Sequence, residues 1–371
     1  MRLMYVTYLY DYPGESHMYL RTRQLTAVLA LGLAACGLAA CSNDSKSPRA
    51  AGETPKVSFV IPNTQLNFAN EMATGFKSGV GTVGGVEQNV VGPPIVDGPK
   101  ELQMFQEQTN SSKDGISVFT LSPDLFAEPL AKAGKDGIPL IAVDNPPPPA
   151  SNVKLFIGND NYLLGQMLAD LAIAKLPATS TGKIILGTSS PGVPVLDRRA
   201  AGMRDELKKK LPGVTVLGPF DTKQETAANL AAWTTLVKAN PTALAFLGTG
   251  DADGWNLAAV RKTTKGAWLA GAFDLDPKSL TAVKEGNLLL VSPEHFVKGA
   301  IAGRLQAEHA KSGKDLPEGW IFTPGLAVDQ SNIDAIIARQ ATPESRAAAL
   351  NPQVEKILGD PSFLRPLSSL T

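Results

Sequence analysis

Cysteine is nearly missing from this chain. Its 371 residues include two, Cys36 and Cys41, and none after position 41. The body therefore has no disulfide, no thiolate nucleophile and no cysteine-ligated metal to build on. Histidine is scarce as well: His17, His295 and His309 stand in no metal-ligand spacing, which argues against zinc and against His-dependent catalysis. Neither sign of charge is in excess, with 35 basic and 35 acidic residues, which gives no electrostatic argument for nucleic acid, a partner that needs a basic face to displace counterions. There is no G-x-S-x-G elbow, no Gly-rich phosphate loop ending in Lys-Ser/Thr and no Rossmann fingerprint. Those absences remove the usual hydrolase, NTPase and dinucleotide chemistries. Asp251 and Asp253 lie two residues apart on one loop, whereas glycosidase carboxylates face each other across the substrate. No enzyme, cofactor or metal is expected.

What is present begins with an export signal. Arg21-Thr22-Arg23 precedes the apolar run from Leu25 to Ala35, giving a positive segment, an apolar segment and small residues before a cleavage point. The run is too short and alanine-rich for a membrane span. Two successive tetrads, Leu33-Ala34-Ala35-Cys36 and Leu38-Ala39-Ala40-Cys41, resemble the bacterial lipoprotein signal. Cys41 is the expected lipidation site, because the polar tether Ser42-Asn43-Asp44-Ser45-Lys46-Ser47 follows it directly. Met18 is a candidate start, which would shorten the long stretch before the apolar run.

From Lys56 onward short apolar runs alternate with helix-period segments. The runs Val57–Ile61, Val86–Val91, Ile116–Leu121, Pro139–Val143 and Leu155–Ile157 predict strands, with helices between them around 71–77, 100–108 and 125–133. The alternation restarts after Leu176-Pro177-Ala178-Thr179. Strands are predicted at Lys183–Leu186, Val214–Leu217, Leu244–Leu247, Trp268–Ala272 and Leu288–Val291, and helices near 197–210, 224–239, 255–264, 277–285 and 297–312. Repeated strand–helix–strand units of this kind make parallel sheets. Two successive sets predict two similar α/β lobes, each doubly wound, with loops at the carboxyl ends of the strands walling a shared cleft.

The strand ends are chemically alike. Val57–Ile61 runs into Asn63 and Phe68; Ile141-Ala142-Val143 ends at Asp144-Asn145; Ile185-Leu186-Gly187 leads through Ser189-Ser190 to Asp197-Arg198-Arg199. Val216–Pro219 ends at Phe220-Asp221, Phe246-Leu247-Gly248 opens into Asp251-Ala252-Asp253, and Ala272-Phe273 ends at Asp274. Planar acids, amides and a guanidinium bind vicinal hydroxyls by two-point hydrogen bonds, and aromatic faces cover the C–H face of a sugar ring. Any one of these acids could equally be a helix cap, Asp253 before Gly254-Trp255 above all. Capping does not explain their recurrence at strand ends.

At these residues the chain resembles the bacterial periplasmic sugar-binding proteins of the ribose/galactose type, with the type 1 periplasmic binding fold. Val60-Ile61-Pro62-Asn63 with Phe68 is similar to that family's opening strand and ligand loop, and Pro139-Leu140-Ile141-Ala142-Val143-Asp144 to its I-P-V-x-x-D strand. Ile157-Gly158-Asn159-Asp160-Asn161 resembles the first interlobe crossing, Asp197-Arg198-Arg199-Ala200-Ala201-Gly202-Met203 the R-x-x-G-F helix start, and Gly271-Ala272-Phe273-Asp274 the G-F-D strand end with one alanine inserted. The resemblance covers about residues 55–330. It implies two lobes joined by three hinge strands, near Asn159–Asn161, Ser292–Glu294 and Pro324–Leu326, that close on one ligand.

The organisation so implied is a signal and lipobox (1–41), a flexible tether (42–55), a first lobe (56–159 with 295–323), a second lobe (160–294 with 324–332) and a C-terminal extension (333–371), the last expected to strap one lobe. The expected ligand residues are Asn63, Phe68 and Asp144 from the first lobe, and Asp197, Arg198, Phe220, Asp251, Asp253 and Asp274 from the second. Arg199 is the alternative to Arg198 if the helix register differs by one. The implied partners are a sugar-like ligand, an ABC permease with its ATPase, and the membrane through the lipid anchor, for an exported monomer. Asp144-Asn145, Gly250-Asp251-Ala252-Asp253 and Asn67-Phe68 depart from the ribose pattern and lean toward deoxysugars or the furanosyl autoinducer-2 signal. A sugar-sensing repressor would begin with a basic helix-turn-helix where the export signal stands. A lipoprotein that captures a signal molecule or presents ligand to a chemoreceptor is the remaining alternative.

Overall fold

The computed structural model describes residues 53–370; the expected export signal, Cys41 and most of the expected tether lie outside them. In the first half β1 (Lys56–Val60), β2 (Glu87–Val91), β3 (Ile116–Val118), β4 (Leu140–Val143) and β5 (Leu155–Gly158) alternate with α1 (Asn67–Val83), α2 (Gly98–Ser111) and α3 (Pro123–Lys135). The second half repeats the scheme with α4 (Asn161–Ile173), β6 (Gly182–Thr188), α5 (Pro194–Lys210), β7 (Val214–Asp221), α6 (Thr226–Ala239), β8 (Ala245–Gly248), α7 (Asp251–Thr264), β9 (Leu269–Phe273), α8 (Pro277–Lys284) and β10 (Leu289–Ser292). The chain then returns through α9 (His295–Ser312) and β11 (Gly319–Phe322), crosses to β12 (Leu326–Val328), and ends with α10 (Ile333–Gln340), α11 (Pro343–Gly359) and β13 (Leu364–Arg365).

Two sheets result, ordered β13-β11-β5-β4-β3-β1-β2 and β12-β10-β9-β8-β6-β7. Every pairing is parallel except β10 with β12 and β11 with β13. The predicted strands and helices fall on these elements with shifts at their ends. Each sheet carries helices on both faces, so its central strands are apolar on both sides, as the runs FV in β1 and AFLG in β8 require. Helix starts are chemically marked: Asp97 accepts from the Lys100 N–H ahead of α2, and Asp160 accepts from Tyr162 and Leu163 ahead of α4. Against the sequence expectation, the glycine spacing of a Rossmann fingerprint does occur, at Gly79-Val80-Gly81-Thr82-Val83-Gly84, but it closes α1 instead of opening a helix and cannot offer N–H groups to a phosphate.

One packing device positions the cleft in both lobes. A Cβ on Gly75 of α1 would stand 2.1 Å from the Phe296 carbonyl of α9, and one on Gly299 of α9 would stand 1.9 Å from the Met72 carbonyl. In the other lobe a Cβ on Gly165 of α4 would meet the Arg199 carbonyl of α5 at 2.1 Å, and one on Gly202 the Tyr162 carbonyl at 2.1 Å. Backbone thus lies against backbone along α1–α9 and α4–α5. The first turns of α1 and α9 carry Phe68 and His295, and the second turn of α5 carries Arg199, so this contact fixes where those side chains point.

The extension 333–370 does not strap one lobe as expected; it spans both. Ile333 and Ile336 of α10 join the core beside α8 and β10, while Leu350, Val354 and Ile357 of α11 pack with Ala300 and Ile301 of α9. Its periodic apolar residues found partners on two surfaces, which a short helical pattern alone does not reveal. At the joint Gln340 donates to the buried Glu71 carboxylate of α1 (2.8 Å). Burial pushes Glu71 up to about 7 against the pull of Arg346.

Two outcomes follow from these contacts. Gly75→Ala should cost about 2 kcal/mol or more by overpacking, whereas Gly81→Ala on the same helix, where a Cβ meets open space, should be neutral or gain up to about 1 kcal/mol; urea unfolding measures both. Glu71 titrates higher folded than unfolded, so its contribution is complete below pH 4.5 and is lost as pH rises through about 7. Between pH 5 and pH 8 the native protein should therefore lose on the order of 2 kcal/mol relative to Glu71→Gln.

Candidate functional site

The carboxyl ends of both sheets meet at a narrow gap. Phe68, Phe119, Leu121, Asp144 and His295 line it from the first lobe, and Ser189, Val195, Leu196, Arg199, Gln224, Gly250, Asp251 and Asp274 from the second. Its two central acids occupy equivalent places. Asp144 follows β4 and Asp274 follows β9, and both have left-handed backbones, with φ of 65° and 74°. The Asp144 N–H donates to the Ile157 carbonyl of the neighbouring strand (2.8 Å), and the Asp274 N–H to that of Val291 (3.0 Å). A non-glycine residue in this region costs of order 1 kcal/mol. The neighbouring strand holds each residue there, and the turn aims the carboxylate into the gap.

Three nitrogen-bearing side chains, two cations and an imidazole, answer the acids. Lys298, on the second turn of α9 and wholly buried, donates to Asp144. His295 Nε2 stands 2.7 Å from Asp274 Oδ1, and its Nδ1 lies 3.9 Å from Asp144 Oδ1, so one imidazole spans acids of both lobes. Burial, with Lys298 adding to it, holds His295 below its usual value. The imidazole is therefore neutral at pH 7; donation from Nε2 to Asp274 leaves Nδ1 as an acceptor. Arg199 is 2% exposed, donates from Nε to Asn161 Oδ1 (2.9 Å) and from Nη1 to the Thr249 carbonyl (2.9 Å), and lies over the Phe273 ring at 4.5 Å. Burial would raise Asp144, but Lys298, His295 and Arg199 hold it down to about 2. Asp251 goes the other way: burial, then Asp274, push its carboxyl well above the usual range.

Several buried polar atoms here have no protein partner. Ser189 Oγ, Asp251 Oδ1 and His295 Nδ1 all belong to residues lining this gap. Unpaired buried polar atoms are rare in native proteins and cost about 1–3 kcal/mol each. Phe68 adds an aromatic wall, with its ring 5.9 Å from Phe119 and 5.8 Å from His295.

Of the residues singled out in the sequence, Phe68, Asp144, Asp251 and Asp274 come together in the gap. Asn63 does not line it; its Oδ1 accepts from the Gln65 and Leu66 N–H groups and closes a turn (2.5 and 3.0 Å). Asp197 is exposed and accepts from Gly192 (3.4 Å), Arg198 is exposed over the Tyr162 ring, and Phe220 is 41% exposed at the end of β7. Asp253 is the cap it also resembled. Its Oδ2 accepts from the Gly250 N–H (2.9 Å), and its Oδ1 from Thr222, Asn229 and Trp233 (2.8 Å each).

Arg199, and not Arg198, lines this gap because of helix phase. Leu196, Arg199, Met203 and Leu207 form one stripe at three- and four-residue spacing, all buried, and that stripe is visible in the sequence. Lys298, a lone cation within Phe296-Val297-Lys298-Gly299-Ala300-Ile301, was a similar signal, with His295 one turn before it.

The comparisons agree with this fold. Residues 57–315 match the periplasmic binding protein domain family, and the chain belongs to it. It is 27% identical over 283 residues to the D-allose-binding periplasmic protein of Escherichia coli, covering 74% of this chain and 89% of that one. A solute-binding protein of an ABC transporter from Burkholderia graminis, solved in complex with D-arabinose, superposes with a TM-score of 0.69 at 23% identity, over 75% of this chain and 96% of that one. An ABC transporter periplasmic solute-binding protein from Actinobacillus succinogenes with bound D-allose does so with a TM-score of 0.69 at 18% identity, over 76% and 99%. No helix among the described residues is long and apolar enough to cross a membrane.

Asp253→Ala should cost about 3 kcal/mol or more of stability, because it strands the buried donors of Thr222, Asn229 and Trp233. The shift of the urea midpoint measures it, and a loss below about 1 kcal/mol would mean that the loop is held by other contacts.

Proposed function

We propose that this protein is the ligand-capturing component of an ABC uptake system, binding one small neutral polyhydroxylated molecule (a sugar, deoxysugar or sugar alcohol) between its lobes. The observation that carries this reading is the set of unpartnered buried atoms of Ser189, Asp251 and His295 around one gap walled by Phe68 and Phe119. Hydroxyl groups both donate and accept. They can therefore satisfy the Asp144 and Asp274 carboxylates, the Nδ1 acceptor of His295 and the Arg199 guanidinium together, while the rings cover a C–H face. A charged ligand would upset a site whose acids are already answered by Lys298 and Arg199. The sugars named for the relatives above support the same class.

Contacts from both lobes exist together only when the lobes are closed, so ligand stabilises closure by completing them. The chain is a binder, not a catalyst, in this reading. Cys41 would carry the lipid that holds it at the outer face of a membrane, where a permease with its ATPase receives the ligand.

Titration calorimetry against D-allose, D-arabinose, D-tagatose, deoxysugars and polyols should give an enthalpic binder, and silence across that panel would overturn the assignment. Against that binder Asp144→Ala and Arg199→Ala should each lose about 2 kcal/mol or more, the penalty of leaving buried polar groups unpaired. Arg198→Ala should change binding by less than about 0.5 kcal/mol, as a surface substitution does.

A further inference from the structure

Lys298 is more deeply buried than its task in the gap requires. Its relative exposure is zero, and it does not line the gap itself. Taking an ammonium out of water costs several kcal/mol unless its donors are well used. One donor goes to Asp144, and a second goes to the Asn159 Oδ1 at 2.8 Å.

Asn159 occupies a particular place. It follows β5 in the first passage between the lobes, and it is 3% exposed. Its Nδ2 donates to the Pro293 carbonyl (3.1 Å), in the passage between β10 and α9. The same nitrogen donates to the Thr323 carbonyl (2.7 Å), in the passage between β11 and β12. One side-chain amide thus ties together all the places where the chain crosses between the two sheets before the extension begins. Its only remaining acceptor is filled by Lys298.

We propose that Lys298 is a positioning residue of the cleft: its ammonium holds the Asp144 carboxylate charged and aimed, and links it through Asn159 to the three interlobe passages. The charge of the site and the angle of the hinge are then set by one group. A methionine of similar length would fill the same space without either link. The groups facing Asp144 are Lys298 and His295 from α9 and Arg199 from α5, with Asp274 on the far side of the imidazole. Of the cations, Lys298 alone donates a hydrogen bond to Asp144. Without it, burial outweighs what remains, and the Asp144 carboxyl rises. The proposal depends on the cleft being a binding site only for its consequence; the measurements below use no ligand.

The experiment uses the full chain with Cys36 and Cys41 replaced by serine, so that cysteines introduced at the exposed positions Gln106 on α2 and Lys238 on α6 are the only ones. Spin labels there report the interlobe distance, and carbon-13 aspartate NMR, with Asp144 assigned by its loss in Asp144→Asn, reports titration. In the native sequence Asp144 should not titrate between pH 4 and pH 8, in line with a carboxyl held down to about 2. In Lys298→Met its midpoint should rise by at least about one pH unit, roughly a tenfold change in proton affinity, and the distance distribution should broaden. An unmoved midpoint or an unchanged distribution in Lys298→Met overturns the proposal, as does a native Asp144 that titrates near pH 4. Should Lys298→Met fail to fold, the double variant Lys298→Met/Asp144→Asn leaves neither partner of the pair charged. It should show the same broadening, and a native distribution there overturns the link through Asn159.

Discussion

Two carboxylates, Asp144 and Asp274, are buried at equivalent strand ends of facing sheets, and much of the molecule answers that fact. Like charges taken out of water are unfavourable unless each finds an opposite charge and hydrogen-bond donors. Here α9 supplies both partners: Lys298 brings a charge and a donor to Asp144, and the neutral imidazole of His295 a donor to Asp274. Because α9 packs on the first sheet while Asp274 belongs to the second, the imidazole joins the lobes directly. The electrostatics of the gap and the closure of the gap are consequently one problem.

That arrangement makes strict demands on where α9 sits. The histidine must reach 2.7 Å from an acid of the other lobe, and an error of an ångström in the helix would break the contact. The glycine contacts of α9 with α1 bring the two backbones so close that their separation is set by the main chain and not by adaptable side chains. Side chains could repack around a substitution, but backbone carbonyls at this distance cannot. The same device on α4 and α5 places Arg199, so both lobes fix a gap-facing side chain by the same means.

How far the sequence revealed all this follows from the kind of information involved. Strands and helices were legible because apolar periodicity is a local property, and the acids at strand ends were legible because a parallel sheet sends all those ends to one side. Asp144, Asp251 and Asp274 were placed by that rule. It failed where orientation depends on helix phase or on partners distant in sequence. Arg198 and Arg199 differ by about 100° around α5, so only one could face inward; the stripe of Leu196, Met203 and Leu207 selects Arg199. Asp253 follows a strand end like the others, yet its carboxylate turns back into its own loop, because Trp233, Asn229 and Thr222 converge on it from α6 and the end of β7. His295 and Lys298 lie on a helix reached when the chain returns from the other lobe; the lone lysine in an apolar run marks a buried cation, but nothing local says which acid it meets.

The extension adds a constraint that the two-lobe plan does not contain. Beyond the part of the chain that matches the family, α10 docks on the second lobe and α11 on the first, which makes a fourth passage between them. Arg339 at the end of α10 bonds Glu294 (2.6 Å), itself in the second passage and held at a left-handed φ of 54°. Gln340 then reaches Glu71 on α1. Both docks are apolar, through Ile333 and Ile336 on one side and Leu350, Val354 and Ile357 on the other, and each buried side chain of this size contributes about 1.5–3 kcal/mol. Peeling either helix away is therefore costlier than bending the two-residue joint, Ala341 and Thr342. That joint and the passages tied by Asn159 carry polar contacts instead, those of Arg339 and Gln340 beside the joint among them.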